Sequence, residues 1–156
     1  MTKKLVFTVG NSLMGDDAAG PLLARRLEDS PIPGWELVEG GPAPENLLYR
    51  VRELEPEEVL VVDAADMDLA AGEVRLIPAE RLQDPFLMST HTLPLSYLIE
   101  SLREFVPRVR LLGIQPRLVS FGYPLSAEVQ QAIERVYQSL KPGGPAWEEL
   151  QVVGEV

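Results

Sequence analysis

Three carboxylates and one imidazole are the residues of this chain best placed to do chemistry. Asp16 and Asp17 close the turn Gly10-Asn11-Ser12-Leu13-Met14-Gly15, directly after the apolar run Leu5–Val9. Asp63 comes straight off a second apolar run, Val59–Val62, and His91 is the sole histidine. Like charges in a confined site repel, so one of the paired acids tends to take up a proton, a metal ion or a helix N-terminus. Two carboxylates and an imidazole form a hard-to-borderline donor set for a divalent first-row metal, with positions left open for substrate. His91 stands just ahead of a helical segment, whose N-terminal dipole disfavours imidazolium; neutral imidazole is the form that binds metal.

Each of these residues also has a plainer reading. A loop histidine is more often a bystander than a ligand. Asp16 or Asp17 can simply cap the helix that follows, and the division of labour we expect is that one of the pair caps while the other binds. Asp63 resists the plain reading best, because Leu60-Val61-Val62 delivers a charge out of a buried strand; Asp66 and Asp68 read as solvated loop acids. Gly40 and Gly41 are candidates for contacting a substrate, against the alternative that they supply positive φ at a strand-to-helix turn.

The elements that position these residues alternate from the start of the chain. Leu5–Val9 reads as a buried strand, 18–27 as a helix with Leu22, Leu23 and Leu27 at helical spacing, and Trp35–Glu39 as a strand. Pro44 opens a helix carrying Leu47, Leu48, Val51 and Leu54 on one face. Val59–Val62 is a strand ending at Asp63, and Val74–Ile77 follows too soon for a crossover helix, so it is expected to run antiparallel. Thr92 can cap a helix carrying Leu95, Leu98, Ile99 and Leu102; Val109–Ile114 is another strand; the last helix begins at Ser126 and buries Val129, Ile133, Val136 and Leu140. The expected fold is α/β: a three-layer α/β/α sandwich around a mixed, mostly parallel sheet of about five strands, one of them antiparallel. If the first and third strands are neighbours, as in the order 2-1-3, Asp17 and Asp63 emerge on the same side of the topological switch point.

Composition narrows the field. A chain of 156 residues, 46% hydrophobic, fits a single domain with a core of its own, residues 141–156 being a loosely attached tail after Pro142-Gly143-Gly144-Pro145. The formal net charge of −10 argues against nucleic acid. Without cysteine there is no disulfide, thiol nucleophile or Cys-based zinc site. No apolar run reaches membrane-span length or resembles a signal-peptide core, so the expected location is cytoplasmic and the expected state monomeric.

Rival chemistries fail on the same residues. Gly10, Gly15 and Gly20 do not make G-x-G-x-x-G, no G-K-[ST] follows, and there is no G-x-S-x-G elbow. A phospho-receiver domain also pairs acids after its first strand and places an aspartate after its third. It needs a lysine at a late strand end, and Gly113-Ile114-Gln115-Pro116 has none.

The stretch Val9–Leu22 is similar to the opening signature of the [NiFe]-hydrogenase maturation proteases. The resemblance continues through Gly40–Asn46, Val62–Met67, Ser89–Leu95 and Gly113–Pro116. Together these segments most resemble the branch acting on the large subunit of hydrogenase 3. The resemblance implies an endopeptidase that removes a C-terminal extension from the large-subunit precursor once nickel is inserted, the nickel in the substrate being the recognition element. It implies Asp17, Asp63 and His91 as nickel ligands and catalytic residues. Relatives often carry Glu at the position of Asp17 and Asp at the position of Glu39. No side chain is a convincing nucleophile, so water is the expected attacker, with Asp17 or Asp63 as base; the alternatives are that the metal only docks the substrate, or that the chain is a non-enzymatic metal-binding module.

Overall fold

The computed structural model describes residues 3–83, 88–89 and 94–151. Its elements run β1 (Lys4–Val9), α1 (Ala19–Asp29), β2 (Trp35–Gly41), α2 (Leu48–Leu54), β3 (Glu58–Asp66), β4 (Val74–Ile77), β5 (Met88–Ser89), α3 (Leu95–Arg103), β6 (Arg108–Ile114) and α4 (Ala127–Ser139). The sheet order is β2-β1-β3-β6-β4, with the two-residue β5 pairing with the end of β3. β1, β2, β3 and β6 are parallel, and β4 is antiparallel to β6 as its short connection requires. The two residues of β5 are also antiparallel, a pairing that no sequence pattern foretold.

Period-two alternation sorts the strand side chains into two cores. Leu5, Phe7 and Val9 of β1 and Val59, Val61 and Ala65 of β3 pack with Val51 of α2 and with Leu95, Leu98, Ile99 and Leu102 of α3. Val6, Leu60 and Val62 face the other way, onto Leu23 and Leu27 of α1 and Val129, Ile133 and Val136 of α4. Helices on both faces of a mostly parallel sheet give three layers. Among the described residues no helix is long and apolar enough to cross a membrane.

Several boundaries differ from the sequence reading, among them the start of the second helix: Pro44–Leu47 is a 3₁₀ turn and α2 begins only at Leu48. β3 does not stop at Asp63 but continues to Asp66, because β6 still pairs there (Asp63↔Gly113, Ala64↔Ile114) and β5 takes over at Ala65 and Asp66. β2 includes Gly40 and Gly41, since a register shift lets Val9 pair with Gly41. The tail is anchored through residue 150: Leu76 N–H donates to Glu148 C=O (2.8 Å), Leu150 N–H donates to Leu76 C=O (2.8 Å), and Trp147 Nε1 donates to Ser139 Oγ (3.0 Å). Thr92, expected to cap α3, lies outside the described residues.

Glu58 and Arg110 join β3 to β6 at the sheet end remote from Asp63, Nη2 donating to Oε1 at 2.5 Å. At the other end α1 lies so close to β1 that a side chain on Gly20 would strike the Val9 carbonyl. Gly→Ala ordinarily favours a helix by up to about 1 kcal/mol. Here Gly20→Ala is expected to destabilise by about 1–3 kcal/mol, the cost of overpacking, read as a lower midpoint in urea unfolding; an unchanged or raised midpoint would contradict this close packing.

Candidate active site

The site is set by where strands leave the sheet. β1 and β3 pair as far as Thr8↔Val62, after which β1 turns to meet Gly41 of β2. Asp63 is therefore the first β3 residue beyond its β1 neighbour, at the point where the chain order changes direction. Chains diverging at a topological switch point leave a crevice at the carboxyl ends of the strands. The 3₁₀ turn Gly15–Ala18, which carries Asp16 and Asp17, packs against β3. All three acids are withdrawn from water: Asp63 is 0% exposed, Asp16 1% and Asp17 2%. Charge buried at one sheet edge is costly unless a cation or strong donors compensate it.

Asp16 is compensated by donors from the far end of the chain. Its Oδ2 accepts from Arg117 N–H (2.8 Å), Leu118 N–H (3.3 Å) and Ser126 Oγ (2.9 Å), and its Oδ1 accepts from Ser126 N–H (2.7 Å). Ser126 Oγ in turn accepts from Val129 N–H (3.3 Å) and so caps α4. The expectation that one of the acids caps the helix after it is corrected: neither the turn nor α1 has a side-chain cap. Asp16 instead fixes the cap of α4, more than a hundred residues on.

Asp17 has a different environment. Its Oδ2 accepts from Asn11 N–H (2.9 Å), while Asn11 Oδ1 accepts from Leu13 N–H (2.9 Å), folding the loop into an Asx turn. Gly10 N–H donates to Gly41 C=O at 3.0 Å, tying the same loop to the end of β2. Of the two glycines there, only Gly41 uses positive φ (63°). Gly40 is required for closeness, because a Cβ there would lie 2.6 Å from the Phe7 ring and 2.7 Å from Thr8 C=O. Glu39, just before them, is exposed.

His91 lies outside the described residues. Ser89, two residues earlier, pairs with Ala65, two residues past Asp63. Among the described residues no group of three or more acids or histidines is gathered in a way that could hold a metal. Gln115 is a residue that the sequence did not single out. Its Oε1 accepts from Met67 N–H (2.6 Å) and Leu69 N–H (3.3 Å), and its Nε2 donates to Asp66 Oδ1 (3.1 Å), so the end of β6 holds the chain leaving β3. Asp66, expected to be a solvated loop acid, is indeed exposed but also engaged, accepting from Asp68 N–H (3.1 Å).

A hydrogenase maturation protease family model matches residues 20–142. The chain belongs to the hydrogenase maturation protease family. It is 47% identical over 137 residues to the hydrogenase 3 maturation protease of Escherichia coli K12, covering 88% of each chain. Its structure is similar to the solution structure of the endopeptidase HycI from Escherichia coli, with a TM-score of 0.90 and 44% identity over 99% of this chain and 100% of that one. It is also similar to the crystal structure of a [NiFe] hydrogenase maturation protease HycI from Thermococcus kodakarensis, with a TM-score of 0.76 and 28% identity over 86% and 87%. As a hydrogenase maturation protease it is a hydrolase of peptide bonds. The family match spans Asp63 and His91; Asp17 stands three residues ahead of it.

The two neighbouring acids are predicted to separate on substitution. Asp16→Asn sets an amide donor against donors, and losing hydrogen bonds to a buried charge is expected to cost about 3 kcal/mol. That corresponds to a fall of roughly 6–12 °C in Tm for a chain of this size. Asp17→Asn keeps an acceptor for Asn11 N–H and is expected to lower Tm by less than half as much; equal falls in thermal melts would refute the assigned difference.

Proposed function

We propose that this protease removes the C-terminal extension from the nickel-loaded precursor of a [NiFe]-hydrogenase large subunit, with Asp17, Asp63 and His91 meeting nickel carried by the substrate. The observation that supports the site most directly is the position of Asp63: fully buried, first beyond the β1 pairing, and on the strand against which the Asp17 turn packs. Two carboxylates and an imidazole suit a divalent first-row ion and leave coordination positions for ligands that the precursor itself supplies. The nickel belongs to the substrate, so a half-site completed on encounter is the arrangement expected of the protease. Gly40 and Gly41, the last residues of β2, are assigned to backbone contact with the precursor. The same reading places the reaction in the cytoplasm and the protease as a monomer.

Hydrolysis here needs an attacking water and a group to take its proton. In this reading the water oxygen adds to the scissile carbonyl carbon, a carboxylate of Asp17 or Asp63 accepts its proton, and that proton passes to the departing amine as the C–N bond breaks. The products are the mature subunit with a new C-terminal carboxylate and the released extension with a free amine. Nickel held by the precursor positions the scissile bond and can polarise its carbonyl.

The test is electrophoretic. Incubated with nickel-loaded precursor, the wild-type protease is expected to shorten the large subunit, and Asp17→Asn, Asp63→Asn and His91→Ala are each expected to slow this by at least about a hundredfold, the range for loss of a positioned acid–base group. Precursor purified without nickel is expected to stay uncut. Unimpaired cutting by His91→Ala would remove it from the site, and cutting of nickel-free precursor would remove nickel from recognition.

A further inference from the structure

The two loops that meet at Asp16 also carry most of the large apolar side chains exposed among the described residues. Leu13 is 62% exposed, Leu118 46%, Phe121 73% and Tyr123 56%; the others are Tyr49 on α2 and Tyr97 on α3. Single exposed apolar residues are ordinary, whereas a group of them in one region marks a contact surface. These four are grouped by the backbone itself. Gly122 N–H donates to Leu13 C=O (3.0 Å), Asp16 N–H donates to Leu118 C=O (2.9 Å), and the Asp16 carboxylate holds Arg117 and Leu118 from the other side. Loops fixed in advance lose little freedom when a partner arrives.

The surroundings point to what that partner is. Leu13 lies four residues before Asp17 on one short loop. Tyr123 lines a cleft of about 360 Å³ together with Ser12, Gly15, Arg25 and Glu39. The apolar group is therefore continuous with the Asp17 loop on one side and with the end of β2 on the other. A peptide bond presented to Asp17 must be carried by a chain lying beside these residues. A second copy of the protease seated there would cover the loop that a substrate has to reach.

We infer that Leu13, Leu118, Phe121 and Tyr123 form the docking surface for the folded precursor of the hydrogenase large subunit, engaging an apolar patch next to the segment to be cut. This rests on the proposed function for the identity of the partner. Recognition of this kind is carried by a few large side chains, aromatic ones above all. Docking is by burial of apolar surface.

The experiment compares Leu13→Ser, Phe121→Ser and their double variant with wild type in processing nickel-loaded precursor over a range of precursor concentrations. Each single change is expected to raise KM about tenfold and the double about a hundredfold, with kcat within about twofold and Tm unchanged. Tyr49→Ser, an equally exposed aromatic on α2, is expected to leave KM unchanged. An unchanged KM in the double variant overturns the inference. So does light scattering that shows a wild-type dimer which the double variant converts to a monomer with normal processing. If wild type fails to cut the precursor at all, the proposed function fails; if Asp17→Asn cuts normally while Phe121→Ser raises KM, the site assignment fails and the docking surface stands.

Discussion

The buried carboxylate of Asp16 is the interaction on which the working end of this molecule depends. It gathers three backbone N–H groups and one hydroxyl from residues 117–126, and without it each would be a buried or half-buried donor lacking an acceptor. A charge in this setting is tolerable because its donors are fixed before it arrives, and the donors are fixed because they have one charge to converge on. The loop after β1, the loop after β6 and the start of α4 thus share a single anchor. The neighbouring carboxylate, Asp17, rides on the same turn and accepts from Asn11 N–H.

That division explains how two adjacent acids coexist in a dry setting. Side chains on successive residues of a tight turn point in different directions, and here they enter different polar environments. Asp16 turns toward the α4 side of the molecule, and Asp17 is held to the loop that closes against β2. Asp63 is delivered by different physics. It occupies a register position that would carry an apolar residue if β1 ran one residue further, as Val59 and Val61 do. Because β1 pairing ends at Thr8↔Val62, Asp63 has no β1 neighbour.

Much of this was legible in the sequence, and the failures have physical reasons. Strand and helix alternation announced the layers, the short link to Val74 announced the antiparallel strand, and the apolar run Val59–Val62 announced the strand that carries Asp63. The continuation of β3 through Ala64-Ala65-Asp66 carried no β-branched signal, because it is stabilised by pairing with β5 and β6 rather than by its own residues. Asp16 could be recognised as special but not for what it does, since its partners lie over a hundred positions away. Gln115 looked like a strand-end residue and is a bracket for three other groups. The segment after Pro145 looked loose because proline and glycine dominate its approach, although Trp147 and Leu150 were already the two apolar residues able to tie it down.

Those two residues have a consequence for the whole sheet. Trp147 joins the core under α1 and α4, Leu150 joins the core under α2 and α3, and between them the chain bonds to Leu76 on both sides of its peptide. The segment thus passes around the rim of the sheet and clasps its two faces together. An outermost strand ordinarily exposes unpaired backbone groups that can recruit a foreign strand and seed aggregates. Here that rim is occupied from within. Of the sheet's two outermost strands, β2 and β4, the latter is thus closed to a foreign strand by residues 147–150 of the same chain.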